Sequence, residues 1–145
     1  MVGLERKVQM QWCKQRLKGE MEVCTEIGRA DIIDTQYVYE VKDIKLWTHA
    51  FAQVLLYAKE LKLLPAVILY YYLDLRNIQN LYLHNSLDYY LSHTHDVHYK
   101  LRKKILKKSE EYGIKVLYQA VVKVSDYGWV NIINKELQDQ VILVY

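Results

Sequence analysis

Gly19 divides two kinds of hydrophobic pattern, and the change at that point constrains the first half of the fold more than any other feature. Before it, Leu4, Val8, Trp12, Cys13 and Leu17 recur at helical spacing, so 3–18 reads as an amphipathic helix that the glycine ends. After it the period becomes two: Met21, Val23, Thr25 and Ile27 alternate with Glu20, Glu22, Cys24 and Glu26. Gly28 supplies a turn, Ala30 to Asp34 starts a second strand, and Tyr37 to Val41 makes a third. Connections this short join only antiparallel neighbours. The segment therefore reads as a three-stranded meander.

Leu46 to Leu63 returns to helical spacing and stops before Pro65. Ala66 to Leu73 is an apolar, aromatic run that reads as a buried strand. Residues 74–95 read as loop with a short strand around Leu81 to Leu83. Asp96 is placed to cap a helix from Val97 to Tyr112, which Gly113 ends. Lys115 to Val124 is a further strand, and Trp129 to Tyr145 carries two apolar patches without an assigned element. No linker, repeat or low-complexity segment interrupts the chain, so 1–145 reads as one domain. The order helix, three strands, helix, strand, then helix and strand predicts an α/β fold with a mixed central sheet flanked by helices.

Composition sets the outer bounds. With 145 residues, 52% of them hydrophobic, the chain can bury a real core. Its net charge is only +3, so a nucleic-acid site has to come from clustered rather than total charge. Cys13 and Cys24 have no metal-type spacing and build no disulfide framework, which predicts a reduced, intracellular, cytoplasmic protein. The segment 1–17 is interrupted by Glu5, Arg6, Lys7, Lys14 and Arg16 and does not read as a secretory signal. The longest apolar run, Leu63 to Leu73, contains Pro65 and is too short to span a bilayer; no membrane association is expected.

The chemistry is concentrated on the meander. Asp31 and Glu40 can approach across the second and third strands, and Lys42 returns to the face of Glu40 one pleat further along. Two carboxylates and an ammonium on one sheet face are costly to desolvate in an ordinary core. They suit a hard divalent ion, Mg²⁺ or Mn²⁺, with an attacking water, and the Val41 carbonyl can add a ligand from between the two side chains. Lys42 would orient that water or stabilise charge building on a phosphorane. On the following helix Gln53 and Tyr57 lie one turn apart on one face. An amide and a phenol there can bind a phosphate or position the lysine and water.

Glu5, Gly28-x-x-Asp31, Glu40-x-Lys42 and Gln53-x-x-x-Tyr57 occur in order, and this set resembles the PD-(D/E)XK nuclease superfamily, in particular its RecB-like and phage-exonuclease-like branches. The motifs cover 1–73. The resemblance implies a restriction-endonuclease-like core and a metal-dependent nuclease that hydrolyses DNA phosphodiester bonds, with Asp31 and Glu40 as metal ligands and Lys42 as the catalytic lysine. Gln53 and Tyr57 would be supporting active-site residues, and Glu5 an additional ligand from the first helix. A Holliday-junction resolvase of the same fold, working as a homodimer, is a variant of this reading. A non-catalytic nucleic-acid-binding protein keeping the fold is the alternative. No proline precedes Asp31, and the four-cysteine iron–sulfur cluster of some RecB-like nucleases is absent. The residues do not separate endonuclease from exonuclease action, or DNA from RNA.

Other features fall around this centre. Glu20, Glu22 and Glu26 read as a solvated outer strand face. Asp34 competes with Asp31 for the metal, but its odd offset turns it to the opposite strand face. Lys100, Lys103, Lys104 and Lys107 group on the solvent side of the helix whose buried stripe is Val97, Leu101 and Ile105. Such a strip can neutralise DNA phosphates. His93, His95 and His98 read as a polar loop, since no Cys or carboxylate motif completes a metal site.

Overall fold

The computed structural model describes residues 3–72, 98–123 and 141–144. The chain gathers into two units, Met1–Tyr70 with Lys108–Tyr118, and Tyr71–Lys107 with Gln119–Tyr145. The first unit opens with helix α1 (Leu4–Gln15), whose Val8, Gln9, Trp12 and Cys13 are buried while its charged positions face outward. Strands β1 (Glu20–Thr25), β2 (Gly28–Ile33) and β3 (Tyr37–Asp43) follow as an antiparallel meander. A 3-10 turn at Ile44–Leu46, with the Asp43 side chain accepting from the Lys45 N–H, leads into α2 (Trp47–Leu61). That helix crosses over to β4 (Leu64–Tyr72), which runs parallel to β3 with Tyr37 opposite Leu64 and Asp43 opposite Tyr70.

With β5 (Lys115–Lys123) the strand order is β1-β2-β3-β4-β5, a mixed open sheet. Its centre is buried on both faces. Ala66 to Tyr71 are buried without alternation, as are Val38 to Val41 on β3. Continuous burial is what strands with helices on both faces require. α2 stops at Leu61 because Lys62 takes a left-handed conformation (φ 55°) and its N–H closes on the Ala58 carbonyl. The chain then runs straight into β4 with Pro65 at its second position.

In the second unit, helix α3 (His98–Tyr112, completed by its last turn in the first unit) exposes Lys100, Lys103, Lys104 and Lys107 and buries Ile105, with Leu101 half-buried. Gly113 ends it at φ 67°, and the Ile114 N–H reaches back to the Ser109 carbonyl. The later part of β5 pairs in parallel with β6 (Val141–Val144). The expected strand at Leu81–Leu83, the Asp96 cap, Val97, His93 and His95 lie outside the described residues.

The first hairpin departs from its expected form. Its turn is Glu26–Ile27, two residues earlier than the glycine, so Ile27 is exposed and the clean alternation of β1 is lost. Thr25 Oγ1 accepts from the Ile27 N–H at 3.2 Å and donates to the Gly28 carbonyl at 2.8 Å. Gly28 instead begins β2, where φ is +144° and a Cβ would stand 2.6 Å from the Tyr57 hydroxyl oxygen. Glycine is required there by a helix packing on the strand as well as by the backbone. Gly28→Ala should lower stability by about 1–3 kcal/mol in urea unfolding, and adding Tyr57→Phe should return part of that loss. An unchanged midpoint in the single variant would contradict the close approach.

Candidate active site

β2 and β3 pair as a regular ladder only at Ile33/Val38 and Ile32/Tyr39. The same register sets Asp31 opposite Glu40, and there the backbone pairing stops. Asp31 Oδ2 accepts the Val41 N–H at 2.8 Å, a hydrogen bond that the β2 backbone would otherwise supply. Since the N–H and C=O of an extended residue point to the same strand edge, the Val41 carbonyl faces this opening as well. The two carboxyl groups are near enough to act on each other's ionisation. Glu40 is only 3% exposed, and its Oε1 is buried with no hydrogen-bond partner.

Burial, the Asp31 charge and the hydrogen bond to Asp31 push the Glu40 carboxyl up to about 8, against which Lys42 works only in part. Burial raises Asp31 too, while the Val41 N–H, the Glu40 proton and Lys42 pull it back. Burial and the pair's mutual interaction therefore favour the protonated form over the doubly charged one, with the larger rise at Glu40.

The sequence-predicted partners divide. Lys42 Nζ lies 3.6 Å from Glu5 Oε1, so α1 does bring Glu5 to this face, paired with the lysine. Burial raises the Glu5 carboxyl, Lys42 lowers it and Asp31 adds to the rise. Tyr57 is buried and its hydroxyl donates to the Arg29 carbonyl at 3.1 Å. Burial and then the charges of Glu40 and Asp31 raise the phenol. Gln53, one turn earlier, is exposed, and among the described residues no hydrogen bond ties it to the carboxyls. Asp34 is committed elsewhere: it accepts the Gln36 and Tyr37 N–H groups and the Tyr39 hydroxyl at 2.7–2.8 Å. Burial opposes its charge, but these donors outweigh burial and hold it below the usual carboxylate range.

Two residues enter that were not singled out as site residues. Gln9, 3% exposed on α1, donates from Nε2 to the Asp31 carbonyl at 2.7 Å and to Glu22 Oε1 at 3.3 Å. Glu22 does not sit on a solvated outer face as expected. It takes φ +55° within β1, and its carboxylate meets Arg6 and, at 3.7 Å, Arg29. It is opposite Asp31, the one position between Glu20/Ile33 and Thr25/Gly28 that the ladder skips. A buried glutamine one helical turn from Glu5 was the available signal for Gln9; a left-handed glutamate inside a strand leaves none.

The arrangement suits a hard divalent ion. An unpartnered buried carboxyl oxygen, a second carboxyl in contact with it and a carbonyl facing the gap are all oxygen donors, and Mg²⁺ characteristically takes one or two carboxylates and keeps its other positions as water. Among the described residues no three His, Cys, Asp or Glu side chains gather as a metal cluster; Asp31, Glu40 and the Val41 carbonyl are the oxygen donors at this opening. No family model, curated protein or solved structure matches this chain. Among the described residues no helix is long and apolar enough to cross a membrane.

A carboxyl raised to about 8 in the folded state, against an ordinary value of 4.5, binds more protons folded than unfolded between those two limits. Stability of the protein in chelator should therefore fall as pH rises from about 4.5 and level off above about 8. Glu40→Gln keeps a donor for Asp31 and removes the charge. It should be more stable than the parent by about 2–4 kcal/mol at pH 9 and nearly equal to it at pH 5, by denaturant unfolding. A difference that does not change with pH would contradict the shared proton.

Proposed function

We propose that this protein is a metal-dependent nuclease that hydrolyses phosphodiester bonds in DNA. The observation that carries the reading is the buried Asp31–Glu40 pair with one carboxyl oxygen left without a partner, two residues from Lys42 on the same strand. An ordinary sheet centre places Val or Ile at such a position, so a carboxyl there points to a cation rather than to packing. The order α1-β1-β2-β3-α2-β4, with the carboxyls on β2 and β3 and the lysine past the second, supports a restriction-endonuclease-like core.

Asp31, Glu40 and the Val41 carbonyl would hold Mg²⁺ or Mn²⁺. Bound there, the ion supplies Lewis-acid polarisation of the scissile phosphate and a more acidic water. The chain's own residues do the rest. Glu40 releases its proton when both carboxyls become acceptors. Lys42, held by Glu5, orients the attacking water and offsets negative charge growing on the phosphate oxygens. Tyr57, fixed on the Arg29 carbonyl, closes the α2 side of the site. Gln53 stands exposed one turn away, where it can meet a substrate phosphate.

Digestion of linear, circular, single-stranded and branched DNA should require Mg²⁺ or Mn²⁺ and stop in EDTA. Asp31→Asn and Lys42→Ala should each reduce cleavage by at least about 100-fold, while Lys42→Ala retains DNA binding. Undiminished turnover in Lys42→Ala would remove the lysine from the mechanism, and full activity in EDTA would remove the metal.

The exposed lysines of α3 are the proposed anchor for the phosphate backbone. Reversing Lys103 and Lys107 to Glu should weaken binding to all sequences alike. For every phosphate that is no longer neutralised, the slope of log affinity against log salt should fall by about 0.7–0.9. An unchanged slope would make the strip a solvated helix face.

A further inference from the structure

We propose that Arg6 and Arg29 form a phosphate-binding fork beside the carboxyl pair, and that Glu22 fills this fork in the free protein as a stand-in for a nucleic-acid phosphodiester. Three elements of the first unit meet there: Arg6 from α1, Arg29 from β2 and Glu22 from β1. Each guanidinium takes a different oxygen of one carboxylate, Arg6 Nη1 on Oε1 and Arg29 Nη1 at 3.7 Å from Oε2. The two cations are the outer members, with side chains 47% and 64% exposed, and the carboxylate beneath them is 27% exposed. Both arginine side chains thus keep much of their surface in solvent, from which a ligand would arrive.

Glu22 reaches this place at the expense of its strand. Its φ of +55° removes it from the β1–β2 ladder, a conformation that a long side chain keeps only where its surroundings over-determine it. Those surroundings are the two arginines and the buried Gln9, whose Nε2 touches both Glu22 Oε1 and the Asp31 carbonyl.

The ligand class follows from the geometry. A carboxylate presenting two oxygens to two guanidiniums is the arrangement a phosphodiester adopts with its two unesterified oxygens. Exposed ion pairs of this kind are weak enough to exchange. Arg29 lies two residues from Asp31 on β2, so both project from one strand face, about 6.6 Å apart along it. A strand whose scissile phosphate sits at the carboxyl pair would bring a neighbouring phosphate to the fork. On that exchange Glu22 is released from the arginines while Gln9 still ties it to Asp31. This inference rests on the nuclease reading for the identity of its ligand, and it is tested without cleavage.

The test is fluorescence anisotropy of a short labelled oligothymidylate with the full chain in EDTA, together with thermal melting of each variant. Arg6→Ala and Arg29→Ala should each weaken binding by about threefold to tenfold and lower the salt slope by about 0.7. Glu22→Gln should tighten binding by about threefold, because the competing anion is gone while the side chain keeps its size. The opposite signs are decisive, since a purely structural cluster predicts weaker binding in all three. Glu22→Gln binding no tighter than the parent, or arginine variants with the parent's slope, overturns the fork. Should Glu22→Gln melt below the assay temperature, the arginine slopes decide alone. Mg²⁺-dependent cleavage without this pattern leaves the nuclease reading standing and the fork refuted. The pattern without any cleavage supports the fork and refutes the nuclease.

Discussion

A glutamate carboxyl sits among the buried residues of the central sheet. Glu40 lies on β3 between Tyr39 and Val41, opposite Val67 of β4, and all three neighbours are buried. Left charged and alone, such a group would destabilise the fold by several kcal/mol. The structure answers in two ways. Burial and the Asp31 charge raise the Glu40 carboxyl to about 8, which favours its neutral form, and β2 leaves the ladder where the Asp31 carboxylate takes the Val41 N–H. The opening between β2 and β3, the carbonyl facing it and the unsatisfied Glu40 oxygen all lie at that one carboxyl.

The elements around the opening are fixed by interactions that would have no purpose in a sheet of Val and Ile. α1 delivers Glu5 and Gln9 one turn apart, the first to Lys42 and the second to the Asp31 carbonyl. α2 delivers Tyr57 over Gly28, and the absence of a side chain there lets the phenol reach the Arg29 carbonyl. The site is thus built from rigid helix and strand positions, which hold polar groups more closely than loops do. A buried polar network of this type is high in stakes, because removing any one partner leaves another group unpaired.

Much of this was legible in residue order. The change of period at Gly19, the two-residue strand offset of Glu40 and Lys42, and the helical spacing of Gln53 and Tyr57 are local properties, and the meander with its following crossover helix appears where they predict. The odd offset of Asp34 from Asp31 predicted the opposite strand face for it, and Asp34 is engaged by the Gln36 and Tyr37 N–H groups and the Tyr39 hydroxyl. What escaped was set by tertiary context. Glu22 reads as one of several solvated glutamates on an alternating strand, and its pairing with two arginines arriving from α1 and β2 is not visible in that pattern. Gln9 drew no reading from the sequence, and its partner, the Asp31 carbonyl, is 22 residues away. Gly28 reads as a turn residue, whereas its need is the close approach of Tyr57. Each miss concerns a side chain whose partner is distant in sequence.

The central claim is that the Asp31–Glu40 pair is a cation site held closed by a proton. Calorimetric titration of Mn²⁺ into the protein at pH 7, in two buffers of different ionisation enthalpy, tests it most directly, because an ion that needs both carboxylates must expel that proton. The account predicts one ion bound with close to one proton released in the parent, and loss of both signals in Glu40→Gln. Binding with no proton release, or equal binding by the parent and Glu40→Gln, would contradict it.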